Sequence, residues 1–513
     1  QFNEKGWSQL RSLYADHVLE RLQFVAEGTL QQRLLICMQQ AIAEGIFPRA
    51  SRLPATRDLA RELAVSRNTV LNVYENLIAQ GYVTARTGSG TWIAETLPEG
   101  CLNSPQRVPE SAAVLTKPAA LSRRGATLLG HANASPWQWG AFVPGAPDVR
   151  QFPHKLFSQI QARLNRDPEI ERLIYSSSGG CPQLRQALAE YLSVARSVRA
   201  DADQIIITEG VHQAVDLVTR VLCDAGDPVW IEEPGYWGTR NLLRINGLKI
   251  QAKAVDEQGI IPDLPSRSKP PKMIFVTPSH QYPLGVHLSL ERRRQLLDLA
   301  RKHKSWLVED DYDSEFRFSG QPFPSLQGFE ADAPVIYMGT FSKTLYPALR
   351  LGYLVVPKAL AQPLRLAAAE LYRGGHLLIQ RALAEFIQKG HYMAHIRRMR
   401  KLYSQRRQFL TGLIARYLGE AFLPAVNHQA GLHLVLPLPQ GCDDVAIAAL
   451  ALKRGVKVRA LSQYYMHPQE KRGLLLGYAC VDERQCQDAF GALKGCLLEA
   501  GVITRGSGPE NPA

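Results

Sequence analysis

The stretch GTFSKTLYPALRLGY, residues 339–353, decides the fold of the larger part of this chain. It continues a strand-like run, VIYMG (335–339), and sets Lys343 beside Thr340 and Ser342, with Arg350 seven residues on. A lone lysine is nearly always a surface charge. One placed just past a strand, among apolar and hydroxyl-bearing residues, suits a Schiff-base nucleophile beside a phosphate clamp. Further strand-like runs lie upstream at 204–208, 228–232, 273–277 and 305–309, alternating with helical patterns. That alternation predicts an α/β fold with a mainly parallel sheet, whose ligands sit at the C-terminal ends of the strands.

The strand ends carry polar and glycine-rich residues. Glu209-Gly210-Val211-His212-Gln213 opens a helix and offers free backbone N–H groups to a phosphate, although many strand–glycine–helix turns look alike. In EEPGYWG (232–238), Tyr236 follows a Pro-Gly bend that presents its ring to a flat ligand, or simply fills a core. In EDDYDSEF (309–316), Asp310 ends a strand and Tyr312 follows two residues on; taken alone, such an acidic cluster reads as a solvated loop.

The first hundred residues follow a different pattern. Helical periodicity over 28–45 stops at Gly45, and a second helix begins at Pro54 in PATRDLARELA. Ser66 caps a third, RNTVLNVYENLIAQ, closed by Gly81. The segment 82–93 reads as a hairpin turning at Thr87–Gly90. Helix–turn–helix plus hairpin is a winged helix, whose third helix enters the major groove N-terminus first. Arg67, Asn68 and Thr69, beside the capping Ser66, then face base edges, while Arg57 and the amides around Gly88 and Gly90 hold phosphates.

Between the two patterns, residues 96–139 are rich in Pro, Ser and Ala without a sustained period and read as a flexible linker. The expected order is therefore a DNA reader over 1–95, the linker, a large α/β module over 140–503 with a smaller C-terminal α+β part, and a frayed tail over 504–513.

Composition bounds this reading. The 513 residues hold 60 Lys and Arg against 47 Asp and Glu, a formal +13, with 45% hydrophobic residues. Such usage excludes disordered and low-complexity classes. No apolar run approaches the roughly 18 residues of a membrane span, and no secretory pattern opens the chain, so a cytoplasmic protein without a membrane partner is expected. The irregularly spaced cysteines suggest reduced thiols and no metal site. The basic excess favours nucleic acid, yet residues 1–98 hold ten basic against nine acidic side chains. DNA affinity per monomer should be modest, so tight binding calls for a dimer on two half-sites. The basic run 391–407 reads as a solvated or bridging helix in preference to a DNA contact.

Residues 140–500 resemble the fold-type I aminotransferases. That resemblance implies pyridoxal 5′-phosphate bound as a Schiff base to Lys343, Asp310 on its pyridinium nitrogen, Tyr312 on the ring oxygen and Tyr236 stacked on the ring. It implies Gly210, Val211, Ser342 and Arg350 around the phosphate. It also implies a dimer in which Tyr175, in IYSSSGGCPQL (174–184), reaches the phosphate of the other subunit, and closure of FVPGAP (142–147) over the substrate. Two segments depart from the family. HQYPLG (280–285) stands where many members carry Asn-Pro-x-Gly, and Leu475, in GLLLGYA (473–479), stands where transaminases carry a carboxylate-binding arginine. Arg240 and Arg472 are the candidate substitutes.

The N-terminal region is similar to the GntR-type winged-helix domain at Arg57, Arg67, Thr69 and Gly90. The two modules in this order resemble the MocR-type transcriptional regulators. The resemblance implies a head-to-tail homodimer on double-stranded operator DNA, governed by an amino compound or by pyridoxal phosphate itself. Leu475 points to a module limited to exchange at Lys343 or weak half-reactions, with no catalytic residue assigned. A working aminotransferase with a DNA-binding tether and a regulator whose large module is only a dimerisation scaffold are the alternatives.

Overall fold

In the N-terminal unit, Thr29 opens helix α1 (Leu30–Ala43) through a capping box: its hydroxyl accepts the Gln32 N–H while the Gln32 side chain accepts the Thr29 N–H at 2.9 Å. Ala55 stays extended, so α2 (Thr56–Glu62) starts two residues after Pro54. Ser66 caps α3 (Arg67–Ala79), and β1 (Val83–Arg86) pairs antiparallel with β2 (Gly90–Ile93). Leu34, Met38, Leu59, Val70, Val73, Leu77, Val83 and Ile93 form one buried core with Tyr14, Ala15 and Val18 of the preceding helical residues 14–22. Each fully buried aliphatic side chain there contributes about 1.5–3 kcal/mol by leaving water.

This computed structural model describes residues 14–25, 27–86, 89–96, 121–132, 137–166, 170, 173–176, 179–320, 323–330, 332–424, 430–469 and 471–504. The chain divides into two compact units, Gln1–Ala119 and Ala120–Ala513. Predicted site residue Gly88 lies outside the described residues.

The second unit begins within the stretch read as a linker. Ser122 caps α4 (Arg123–Gly130), a helix too short to show as a sustained period in the sequence. Helices α5 (His154–Arg166) and α6 (Pro182–Arg196) precede the main sheet. The sheet then follows in chain order: β3 (Ile205–Thr208), α7 (Val211–Leu222), β4 (Pro228–Glu233), α8 (Trp237–Ile245), β5 (Lys249–Asp256), β6 (Gly259–Ile260), β7 (Met273–Val276), α9 (Leu290–His303), β8 (Trp306–Asp311), a short helix α10 (Leu326–Phe329), β9 (Val335–Thr340) and β10 (Gly352–Val355). Helix α4 packs on α8, and Asn241 Nδ2 donates to the His131 carbonyl at 2.7 Å.

Strand order is β3-β10-β9-β8-β7-β4-β5-β6. Strands β5, β4, β7, β8 and β9 run parallel to their neighbours in turn, as the α/β reading expects. Strand β10 lies antiparallel between β3 and β9, with Gly352 opposite both Thr208 and Thr340. This reversed strand starts where its neighbours finish, so Arg350, just before it, arrives at the same edge as their C-terminal ends.

Helices α11 (Lys358–Tyr372), α12 (Leu377–Gln388) and the long α13 (His391–Tyr417) lead to the smaller C-terminal part: β11 (His433–Leu438), α14 (Asp444–Lys453), β12 (Arg459–Ala460), β13 (Arg472–Gly477) and α15 (Glu483–Glu499). Its three strands are antiparallel in the order β11-β13-β12. The basic run on α13 is largely spent inside this unit. Arg406 donates to Asp148 at 3.0 Å, Arg400 to the Glu315 carbonyl at 2.9 Å and Arg398 to the Gln151 carbonyl.

Candidate functional site

The strand ends enclose a cavity of about 390 Å³ whose walls include Val211, Tyr236, Asp310, Tyr312, Ser342, Lys343 and Arg350. Seven side chains predicted from four separate segments thus share one space. Gly210 adjoins it: with φ +91 it caps α7, and a Cβ there would lie 3.4 Å from an Arg350 guanidinium nitrogen. Arg350 in turn donates to the Glu209 carbonyl at 2.7 Å, which holds the guanidinium beside the open N-terminus of α7. The Ser342 N–H donates to Thr340 Oγ1 at 3.1 Å, bending the chain after β9 so that Lys343 turns into the cavity. Gly145 makes room for that lysine, because a Cβ there would meet Lys343 Nζ at 3.3 Å.

Electrostatics fit a cationic ring. Asp310 Oδ1 is buried with no hydrogen-bond partner, which is costly unless a donor such as a pyridinium N–H completes it. Burial, then the neighbouring Asp311, Glu232 and Asp313, push its carboxyl up to about 7, while Lys343 opposes the shift. Burial lowers the Lys343 amine, which favours its neutral, nucleophilic form, against the opposing pull of Asp313 and Asp310. Tyr312 OH lies 2.9 Å from His280 Nδ1, which fixes the phenol. These residues fit pyridoxal phosphate: Lys343 for its carbonyl, Asp310 for its ring nitrogen, Tyr312 for its ring oxygen, and Gly210, Val211, Ser342 and Arg350 for its phosphate.

Because the folded-state pKa of Asp310 lies above its unfolded value near 4, its stabilising contribution is complete below about pH 4 and is lost as the pH rises through about 7. Between pH 5 and 7, cofactor-free wild type should therefore lose stability relative to Asp310→Asn by up to about 1.4 kcal/mol per pH unit. Urea unfolding at stepped pH measures this; parallel curves for the two proteins contradict it.

The two departures from the family pattern have structural answers. Gln281 donates to the Pro234 and Tyr282 carbonyls at 2.8 Å each and accepts the Leu284 N–H at 3.1 Å, closing its turn. Tyr282 then lines the cavity, its hydroxyl 3.0 Å from that of Tyr464. Leu475 is wholly buried, and directly across the strand pair stands Arg459, a residue the sequence reading missed. Arg459 lines the cavity, with its guanidinium 6.0 Å from the Trp237 ring centre. Arg240 and Arg472 do not line it: Arg240 is buried near the Tyr464 carbonyl, and Arg472 bonds the carbonyls of Gln469 and Lys471. Trp137 and Gln138, from the supposed linker, complete the wall. No pattern in their own segment marks them, since their role depends on where the chain docks. Tyr175 is 80% exposed and outside the cavity lining.

In the N-terminal unit, Arg57, Arg67 and Asn68 are exposed, the last two in the first turn of α3. Ser66 Oγ accepts the Thr69 N–H at 3.1 Å and lies 2.8 Å from Thr69 Oγ1, so these two hydroxyls serve the helix start. Gly90, with φ +92, admits Arg52, whose Nε would lie 2.9 Å from a Cβ at that position. Arg52 is exposed on this edge and went unremarked in the sequence.

Such a site on such a sheet, with a winged helix on the same chain, defines an aminotransferase-like unit joined to a DNA-binding unit. Residues 31–93 match the model of bacterial regulatory proteins of the gntR family, and residues 153–493 match aminotransferase class I and II, a pyridoxal-phosphate-dependent family. The chain is 37% identical to the "Probable rhizopine catabolism regulatory protein MocR" of Rhizobium meliloti, over 92% of this chain and 94% of that protein. It is 30% identical to the "HTH-type pyridoxine biosynthesis transcriptional regulator PdxR" of Corynebacterium glutamicum, over 87% and 91%. A solved structure, the α-aminoadipate aminotransferase LysN of Thermus thermophilus, superposes with a TM-score of 0.67 at 26% identity, over 75% of this chain and all of that one. The chain belongs to the MocR-type transcriptional regulators, with a GntR-type DNA-binding domain and an aminotransferase-like domain. Among the described residues, no helix is long and apolar enough to cross a membrane.

Proposed function

We propose that this regulator binds pyridoxal phosphate through Lys343 and that an amino compound, or the cofactor itself, sets its affinity for operator DNA. The observation that carries this reading is the double composition of the cavity wall: Lys343, Asp310 and Tyr312 face the same space as Trp137 and Gln138 from the connecting segment. A ligand that fills the cavity contacts the chain leading to the DNA-binding unit. Occupancy and the placement of that segment are then linked, provided the ligand binds one arrangement better than the other. Bound pyridoxal phosphate supplies an electrophilic carbon for amines; the protein positions it and excludes water.

Arg459 gives the effector site a cation for an acidic group, replacing the arginine absent at position 475. A spectral titration of the full chain with pyridoxal phosphate, amino acids and simple amines tests the proposal, with operator binding followed in parallel. Wild type should respond to an acid-bearing amine, and Arg459→Ala should weaken that response roughly 10- to 150-fold, the range of a charge-assisted hydrogen bond. Amines without an acid group should bind both proteins alike. A spectral response with no change in DNA binding would defeat the regulatory reading, and steady keto-acid production at an enzyme-like rate would favour a working aminotransferase.

The family layout and an exposed apolar run at Ile170, Leu173, Ile174 and Tyr175 support a homodimer, head-to-tail on two operator half-sites. In it Tyr175 reaches the other subunit's phosphate. Acting on DNA, the protein works in the cytoplasm.

A further inference from the structure

His212 touches both halves of the cofactor site. Its backbone is the second residue of α7, at the helix start where Gly210 and Arg350 form the phosphate cradle. Its side chain reaches the other way: Nε2 lies 3.0 Å from Tyr236 OH, and the two rings stand 5.9 Å apart between centres, tilted at 46°. Both residues line the cavity. A third residue makes the pair possible. A Cβ at position 238 would lie 2.4 Å from the Tyr236 ring and 2.7 Å from His212 Nε2, so glycine there leaves the space they occupy.

We infer that His212 is a positioning residue: its hydrogen bond to the Tyr236 hydroxyl holds that ring as a fixed platform for the cofactor. This rests on the reading of the cavity as a pyridoxal phosphate site. A tyrosine at the start of a helix can rotate about two side-chain bonds, and a stacking face is useful only in one orientation. Anchoring the phenol at its far end removes that freedom. Burial, and then Arg350, lower the His212 pKa, so the neutral ring offers a lone pair to the Tyr236 O–H. The bond also ties α7 to the start of α8, the helix on which α4 docks through Asn241. A change at the phosphate end can thereby reach the connecting segment.

The test uses the full chain with pyridoxal phosphate as probe. It reads the dissociation constant by absorbance titration and the circular dichroism induced per bound cofactor. His212→Leu and Tyr236→Phe should each weaken binding about five-fold, the worth of one hydrogen bond, and each should reduce the induced dichroism by the same fraction. The double variant should be no worse than either single one, because both remove the same interaction. His212→Gln, which keeps an acceptor, should restore most of the signal, and Gly238→Ala should lose it by displacing the ring. Wild-type dichroism in His212→Leu, or additive losses of about 25-fold in the double variant, would overturn the inference while leaving the cofactor reading intact. A wild type that binds no pyridoxal phosphate would instead overturn the cofactor reading, and this one with it.

Discussion

Lys343→Ala should abolish the Schiff-base absorbance band that the full chain acquires with pyridoxal phosphate, leaving only that of the free aldehyde, and the operator response to an amino effector should disappear with it. Lys343 is the lysine among the residues that wall the cavity, and burial keeps its amine easier to deprotonate than an exposed one. Among the described residues that line the cavity it is the only primary amine. Non-covalent binding should persist, because Gly210, Val211, Ser342 and Arg350 are untouched. The variant should also fold at least as well as wild type, since it deletes a cation whose charged form is penalised by burial. The result is thus a loss of chemistry without a loss of structure, read by absorbance and by thermal unfolding together. An undiminished spectrum in Lys343→Ala would show that the cofactor attaches elsewhere or not at all.

The second large effect lies in the N-terminal unit, where Arg67→Ala and Arg57→Ala should fail in different ways. Arg67 projects from the first turn of α3, the part of a recognition helix that meets base edges. Its guanidinium can bond a guanine with two parallel hydrogen bonds. Removing it should cost about 1–3 kcal/mol on the preferred sequence and relax the preference at one position. Arg57 lies on α2, which crosses the backbone in this type of domain. Its loss should weaken binding evenly across sequences and reduce the slope of log affinity against log salt by about one. Competition against scrambled DNA at several salt concentrations separates the two. Identical profiles for both variants would sink the assignment of α3 to the major groove.

Much of this architecture was legible because its elements are specified locally. The runs at 228–232, 273–277, 305–309 and 335–339 became β4, β7, β8 and β9 with boundaries shifted by a residue or two. Fully buried parallel strands are near-continuous apolar runs, and such runs are conspicuous in a sequence. The caps at Ser66, Gly45 and Gly81 were equally plain, since each depends on a residue and its near neighbours. Strand β10 escaped notice inside the lysine segment: it is only four residues long, and its pairing with β3 and β9 is entirely non-local. The helix α4 escaped for the same reason of length.

The sequence by itself determined the chemistry: a lysine past a strand, an acid at the end of another, a tyrosine after a bend and a glycine opening a helix. Each residue type carries its own reactivity, and each flanking pattern is local. Only the tertiary structure decided which groups meet. It placed Arg350 on the Gly210 turn because β10 runs against its neighbours. It set Arg459 opposite Leu475 because register is fixed between strands, beyond what either strand encodes alone. It also brought Trp137 and Gln138 into the wall of a cavity built from residues much later in the chain. Contacts across such separations depend on how whole elements pack to bury their apolar faces, and side-chain spacing along one segment does not contain that information.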